Sequence, residues 1–136
     1  KTLVKPENKQ SGYFPDVLLL NRSNLVNEPR WKKESIITLP ESIALVVEVV
    51  STNWRDDYFK KLGEYEGIGI PEYWIVDYLA LGGRKFIGNP KKPTISIYSL
   101  VEGEYQVTQF TGDEHLQSPT LPELNLTAQQ IFDSST

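Results

Sequence analysis

ESIALVVEVVS, residues 41–51, is a stretch of aliphatic side chains, rich in β-branched residues and free of glycine and proline. Side chains of a strand alternate between two faces. The alternation puts Ile43, Leu45, Val47 and Val49 on one face, and Ala44, Val46, Glu48 and Val50 on the other. Both faces are apolar, so the stretch predicts a central strand that is covered on both sides.

Glu48 is the one exception in this strand. Burying an ionised carboxylate is unfavourable unless it is paired, hydrogen-bonded or bound to a metal. Natural sequences tend to break a local rule of this kind at functional sites. A glutamate near the end of the strand, with its carboxylate in water, explains the sequence equally well. Both interpretations stay open on this residue alone.

Length and composition indicate one globular domain over residues 1–136. The chain contains no cysteine, which excludes disulfides and thiolate zinc sites and fits a reducing cytoplasm. No apolar run approaches the ~20 residues that a membrane span needs, so no membrane association is expected. The chain begins at Lys1 without a methionine. We therefore expect the domain to be N-terminally incomplete.

The net charge of −4 is unevenly distributed. All 14 Lys and Arg residues precede residue 93, where 12 acids accompany them, and the remaining 6 acids follow without any basic residue. The first part is therefore +2, and a polyanion such as DNA would have to bind there. The overall negative charge argues against tight non-specific binding of nucleic acid.

The remaining pattern predicts a mixed sheet of the α/β or α+β class. The expected elements are a strand at 13–20, the central strand, a helix at 54–66, a strand at 72–77, a hairpin of 94–100 with 104–110, and a short helix from Thr127. Residues 1–12 are predicted to be an irregular lead-in or one arm of a hairpin, residues 21–40 a long loop with one short turn of helix, and residues 81–93 a glycine-bearing loop. No glycine-rich loop follows a strand, which argues against a nucleotide-binding fold.

Two lysines lie in the predicted helix after the central strand. At about 100° per residue, Lys61 falls about 55° from the centre of the apolar stripe and Lys60 about 155° from it. Lys61 therefore lies at the inner edge of the helix and can reach the sheet, whereas Lys60 points to solvent, where Asp56 and Glu64 are possible partners. A side chain that extends to solvent and pairs with Asp57 is the alternative for Lys61.

An ordered set of motifs resembles a known family. The set comprises Pro15-Asp16, Glu48-Val49-Val50-Ser51, Asp57-x-x-x-Lys61-x-x-x-Tyr65, Gly69-Ile70-Pro71-Glu72-Tyr73-Trp74-Ile75-Val76-Asp77 and Ser118-Pro119-x-Leu121-Pro122. It resembles the Uma-type restriction endonucleases, a bacterial family of the PD-(D/E)XK nuclease superfamily. The resemblance implies a restriction-endonuclease-like fold, a central mixed sheet flanked by helices, with an N-terminal helical portion that is absent from this sequence.

The resemblance also implies the site residues. Asp16 and Glu48 match the two acids of the motif, and Val50 stands where the superfamily usually has a lysine. In the Uma-type family that lysine is taken to have moved to the helix, which makes Lys61 the matching residue. Asp16, Glu48 and the Val49 carbonyl would then hold Mg²⁺, with Mn²⁺ as a possible substitute. Since the two carboxylates repel each other, one pKa is expected to rise.

The expected function is metal-dependent hydrolysis of phosphodiester bonds in DNA, with Asp16, Glu48 and Lys61 as catalytic residues. The alternative is a non-catalytic nucleic-acid-binding or protein-interaction domain that keeps the fold. RNA as substrate stays open, and a homodimer is expected only from the kind of enzyme. His115, the single histidine, lies in the acidic tail and is predicted to be a surface residue. Among the tryptophans, only Trp31 lies beside a basic loop where it could stack on a base.

Overall fold

The structure is a computed structural model that describes residues 2–7 and 12–134. A five-stranded mixed sheet forms its centre. The strands are β1 (Leu3–Val4), β2 (Val17–Leu20), β3 (Ile36–Ile37), β4 (Ile43–Val49), β5 (Glu72–Asp77), β6 (Thr94–Val101) and β7 (Glu104–Phe110). The order in the sheet is β2-β4-β5-β6-β7. Only β4 and β5 run parallel, and the other neighbours are antiparallel. β1 and β3 form a separate parallel pair.

Helices lie on both faces of this sheet, as the restriction-endonuclease-like fold requires. The α-helices are α1 (Trp31–Glu34), α2 (Leu62–Ile68), α3 (Arg84–Ile87) and α4 (Ala128–Asp133). Two 3₁₀ turns cover Arg22–Asn27 and Pro40–Ser42, and a π-helical segment covers Asp56–Lys61. None of the described helices is both long and apolar enough to cross a membrane.

The apolar residues of β4 separate into two cores, as its alternation predicts. Val46 and Val50 pack with Tyr58, Tyr65 and Tyr73 on one face. Leu45 and Val47 pack with Trp74, Ile95 and Phe132 on the other. Each fully buried side chain of this size contributes roughly 1.5–3 kcal/mol, so β4 is central to stability as well as to topology.

The predicted face of Ile43 was wrong. Ile43 belongs to the same core as Val46 and Val50, because the pairing between β2 and β4 shifts register by one residue at this point. A bulge of this kind inserts one extra residue and moves the side chains beyond it to the other face.

The connection from β4 to β5 is the continuous helical run 54–68, hereafter the crossover helix. The short turn after the helix indicates that the next strand lies near β4, and the structure shows that the two strands are parallel neighbours, which need such a crossover. The helix passes Gly67 and ends at Ile68, two residues later than predicted, because Gly69 takes the left-handed conformation at φ 87°. Its middle is π-helical, an arrangement that is rare and often found at functional sites.

The predictions of the longer elements were confirmed, whereas most elements of a few residues were not predicted. The hairpin β6–β7 turns at Glu102 and Gly103, both at positive φ, and Thr127 caps α4 through a capping box with Gln130. The regions predicted to be irregular contain β1, the 3₁₀ turns, α1, β3 and α3. Most of these elements have only two to four residues, too few to show a periodicity. Residues 8–11 of the predicted lead-in lie outside the described part.

Candidate active site

Asp16 immediately precedes β2, at the end of the pairing with β4. Val17 pairs with Val47 in the antiparallel register, and extending that register by one residue puts Asp16 opposite Glu48. Side chains that oppose each other in such a pair lie on one face of the sheet. The Oδ2 atom of Asp16 accepts the backbone N–H of Val49 at 2.7 Å, which anchors the carboxylate to the end of β4.

Glu48 is almost completely buried, with 2% of its surface exposed. Its Oε2 atom accepts a hydrogen bond from the Tyr65 hydroxyl at 3.1 Å. Its Oε1 atom lies 3.6 Å from Nζ of Lys61. Glu48 therefore has one hydroxyl and one ammonium as partners, and it is not the solvated strand end that the sequence left open.

Lys61 extends from the crossover helix toward the sheet and contacts two acids. Besides Glu48, its Nζ atom lies 3.3 Å from Oδ1 of Asp57, one helical turn earlier. The two interpretations of Lys61, reaching the sheet and pairing with Asp57, are therefore both correct. Its ammonium also lies 5.7 Å from the centroid of the Tyr13 ring. Lys60 is exposed and, among the described residues, forms no ion pair, so the surface pairing expected for it is absent.

Tyrosines fix the crossover helix and its acids against the sheet. The Tyr73 hydroxyl donates to the backbone carbonyl of Asp57 at 2.9 Å. The ring of Tyr65 meets those of Tyr73 and Tyr13 edge-on, at 5.0 and 5.7 Å between centroids. These contacts hold Asp57 and Lys61 at a constant distance from Glu48. Edge-to-face pairs contribute roughly 0.5–1.5 kcal/mol beyond their buried area.

Burial dominates the electrostatics of the site. It raises the pKa of Glu48 to about 7, helped by the negative charges of Asp16 and Asp57 and opposed by Lys61 and the hydrogen bond from Tyr65. A raised pKa was expected from repulsion by Asp16, but desolvation is the larger cause. The pKa of Asp57 is also raised, mainly by burial. Burial lowers the pKa of Lys61, but the negative charges and hydrogen bonds of Glu48 and Asp57 outweigh burial, so that the pKa is raised.

A cleft of about 280 Å³ opens over these residues and is rich in side-chain oxygen. Its walls are formed by Phe14, Asp16, Glu48, Val49, Ser51, Asn53, Asp56, Asp57 and Lys61. Two larger cavities, of about 580 and 360 Å³, lie elsewhere and contain no Asp, Glu, Lys or Arg in their walls. Of these three spaces, only the small cleft combines acids with a cation.

The donor set of the cleft fits Mg²⁺ or Mn²⁺. In the described residues, no group of three or more His, Asp or Glu side chains is arranged around one metal position. Magnesium does not need such a group, because it is usually held by one or two carboxylates and keeps several waters. The N–H and C=O of one strand residue point to the same side, so the Val49 carbonyl faces the Asp16 side of β4. Asp16, Glu48 and Val49 would therefore be the oxygen ligands of a metal ion bound there.

The family model named Uma2 and described as "Putative restriction endonuclease" matches residues 1–129. The chain belongs to this family. The match confirms the resemblance seen in the motifs, and the five-stranded mixed sheet agrees with the fold that the resemblance implied. No curated protein matches the chain.

Residues of this Uma2 chain that were considered outside the site have structural positions. Asp77 accepts the N–H groups of Leu81 and Gly82 at 2.9 and 2.8 Å, as expected for a residue that ends a strand. His115 is exposed, as predicted. Trp74 is buried in one core, and Trp31 is half-buried against the other core, which leaves only part of the Trp31 ring to stack on a base.

Sequence reasoning gave no role in the site to three residues that contribute to it. Asp57 and Tyr65 stand in the family motif together with Lys61, but Asp57 was considered only as a partner of Lys61 and Tyr65 received no polar role; Tyr13 was expected only as a strand residue. The spacing 57, 61, 65 on one helix, ending in a long side chain with a polar tip, is the signal that points to Asp57 and Tyr65. No local signal marks Tyr13, because its ring reaches Lys61 from a distant part of the chain.

Proposed function

We propose that this chain is a metal-dependent endonuclease that hydrolyses phosphodiester bonds in DNA. One observation carries the proposal: the Lys61 ammonium is held by Glu48 and Asp57 at a cleft that also contains Asp16. The family description, which names a restriction endonuclease, supports the reaction class and DNA as the substrate. Cleavage of RNA and a homodimer stay predictions, as does the cytoplasm, which rests on the absence of cysteine.

The acids at the end of β4 would hold the metal. The carboxylates of Asp16 and Glu48 with the Val49 carbonyl would bind Mg²⁺, or Mn²⁺ in its place. A metal there supplies an activated water at neutral pH and neutralises charge that develops on the phosphate. Tyr65 holds Oε2 of Glu48, and Val49 N–H holds Oδ2 of Asp16, so each carboxylate keeps a defined orientation.

Lys61 would act as the fixed cation of the reaction. Its raised pKa keeps the ammonium protonated at neutral pH, and two acids fix its position. A preorganised positive charge in a partly buried site stabilises the negative charge of a phosphoryl transition state, because it needs no reorganisation. Val50, at the usual lysine position of the superfamily, has 3% of its surface exposed and lies in the core, so this position cannot supply the cation.

Plasmid nicking tests this assignment. The wild type is expected to nick supercoiled DNA in Mg²⁺ or Mn²⁺, and Asp16→Ala and Lys61→Ala are each expected to lower the rate by about 100-fold or more. Lys60→Ala is the matched control, since it removes the neighbouring lysine, which is exposed and unpaired within the described part of the chain. Its rate should stay within about two-fold of the wild type.

Two outcomes would contradict the proposal. Nicking that survives both substitutions would place the reaction elsewhere or reveal contamination. A wild type that leaves the plasmid intact with either metal but still binds DNA would be the non-catalytic alternative. The net charge of −4 is compatible with that alternative, and the variants distinguish the two without reference to binding strength.

A further inference from the structure

A cluster of aromatic rings and unpaired cations lies beside the cleft, on the other flank of the crossover helix. We call it the basic-aromatic patch, and it consists of Trp54, Arg55, Phe59, Arg84, Lys85 and Phe86. At about 100° per residue, Phe59 is roughly 160° from Lys61 around the helix. A helix is about 10–12 Å wide with its side chains, so the patch and the cleft are separated by the width of one helix.

The fold brings the two halves of the patch together. Asp77 binds the N–H groups of Leu81 and Gly82 and so sets the turn that follows β5. A Cβ atom on Gly83 would lie 2.9 Å from the Trp54 ring, and one on Gly82 would lie 2.9 Å from the Tyr58 ring. Only glycines therefore let this turn press against the crossover helix. This contact positions α3, which carries Arg84 and Lys85, beside the crossover helix.

Two of the three cations of the patch, Arg55 and Lys85, lie on rings, and none of the three forms an ion pair with a described carboxylate. The Arg55 guanidinium lies 4.2 Å from the Trp54 centroid, and Nζ of Lys85 lies 4.9 and 5.0 Å from those of Phe59 and Phe86. Within the described ranges, no Asp or Glu forms an ion pair with Arg55, Arg84 or Lys85. Cations that are positioned but not neutralised are available for phosphate groups.

Phe59 leaves 48% of its surface exposed, although it belongs to this ring cluster. It contacts Phe86 edge-on at 5.2 Å and Trp54 at 6.4 Å, which orients the ring while leaving part of it to solvent. An exposed, oriented ring flanked by cations is the arrangement that stacks bases in single-strand binding proteins. A paired base is already stacked within its duplex, so the ring selects unpaired DNA.

The acidity of the cleft favours a second, basic surface beside it. Four carboxylates, of Asp16, Glu48, Asp56 and Asp57, line the cleft with the single ammonium of Lys61. The proposed metal ion would offset part of this negative charge, and cations outside the cleft that bind neighbouring phosphates would offset more of it. A single strand carries one phosphate per nucleotide on a flexible backbone, so a segment of a few nucleotides spans the width of the helix. One strand can therefore contact the cleft and the patch together.

We infer that the basic-aromatic patch binds single-stranded DNA, with Arg55, Arg84 and Lys85 on phosphates and Phe59 stacked on a base, while a phosphate further along the same strand enters the cleft. The inference rests on the proposed function for the role of the cleft. It adds a second binding surface and a preference for unpaired DNA.

Binding without cleavage tests the inference. The probe is a labelled single-stranded DNA of about 20 nucleotides, longer than a typical one-domain site, followed by fluorescence anisotropy with EDTA present. The double variant Arg84→Ala/Lys85→Ala should weaken binding roughly ten-fold. The negative slope of the logarithm of the binding constant against the logarithm of the salt concentration should become shallower by about 1.4, since each lost phosphate contact removes about 0.7. Lys32→Ala/Lys33→Ala removes the same charge from exposed positions of α1 and should change affinity by less than about two-fold.

The ring is tested by a matched pair at Phe59. Phe59→Leu keeps an apolar side chain but removes the stacking face, and should weaken single-strand binding roughly five-fold or more. Phe59→Tyr keeps the face and should bind within about two-fold of the wild type. Duplex DNA of the same sequence should bind the wild type more weakly than the single strand. Circular dichroism melting of each variant excludes loss of the fold.

Both arms must succeed for the inference to stand. Equal weakening by the two double variants would mean that only overall charge matters. Single-strand affinity unchanged in Phe59→Leu, or tighter binding of duplex than of single strand, would overturn the stacking role. Plasmid nicking is scored separately with metal. Loss of binding in the patch variants with no nicking by the wild type would refute the nuclease, whereas Asp16-dependent nicking with unaltered binding would refute the patch.

Discussion

Glu48 on β4 and Glu72 on β5 are both glutamates in buried strands, with 2% and 1% of their surfaces exposed. Their surroundings differ. Glu72 accepts hydrogen bonds from the Trp74 indole at 2.6 Å, the Ser118 hydroxyl at 2.5 Å and the Thr120 N–H at 2.9 Å. Glu48 has one hydroxyl donor and the ammonium of Lys61, and it borders the cleft.

The difference separates a structural acid from a candidate catalytic one. Glu72 is saturated by neutral donors and joins the end of the chain to the sheet. Glu28 follows the same pattern, since it is buried and accepts from Thr38, Leu39 and Ser42. Glu48 keeps capacity for a further positive ligand, and a buried carboxylate with incomplete partners is costly unless a function uses it. Partner type, more than burial, therefore identifies the site.

The largest expected effect is on cleavage by Glu48→Gln. Removing a metal-binding charge should lower the nicking rate by about 1,000-fold, or roughly 4 kcal/mol of transition-state stabilisation. The metal-free fold should be at least as stable as the wild type, because a buried, poorly compensated charge is removed. Nicking assays and urea unfolding with EDTA measure the two quantities. A clear loss of metal-free stability would instead make Glu48 a structural acid like Glu72.

The reverse outcome is expected for Glu72→Gln. The amide keeps one acceptor oxygen, but its N–H₂ group would face the donors that Glu72 accepts from. Hydrogen bonds to a carboxylate are therefore lost, which should lower the free energy of unfolding by about 3 kcal/mol. Nicking below the melting transition should stay within about two-fold of the wild type. A Glu72→Gln protein of normal stability would show that saturation by neutral donors does not mark a structural acid.

A smaller effect is expected on the pH dependence of stability. The pKa of Glu48 rises from 4.5 to about 7 on folding, so the native state holds a proton that the unfolded state releases between these values. The stabilising contribution is complete below about pH 4.5 and is lost as pH rises through 7. The wild type should lose on the order of 2–3 kcal/mol relative to Glu48→Gln over this range. Urea unfolding at pH 5 and pH 8 with EDTA measures it, and parallel curves for the two proteins would contradict it.

Elements that depend on residues close to each other in the sequence could be predicted, and elements that depend on distant residues could not. The strand β4, the crossover helix, the hairpin and the cap at Thr127 depend on neighbours within a few residues, and their patterns predicted them. Apart from a short helical turn, which was expected in 21–40, the short elements in 21–40 and 81–93 were missed because contacts with other parts of the chain, rather than local periodicity, stabilise them. For the same reason α3 and the basic-aromatic patch could not be predicted.

What the sequence by itself determined is the doubly covered strand β4, a strand that lies near it after the crossover helix, and the family motifs that include Asp16, Glu48 and Lys61. Tertiary structure alone decided which partners each buried acid has. The Glu72 side chain is bound by Ser118, 46 residues away, and that of Glu48 by Tyr65, 17 residues away. The protonation of a carboxylate depends on its burial and on the hydrogen-bond donors and charges around it. Folding brings those groups together from distant parts of the chain.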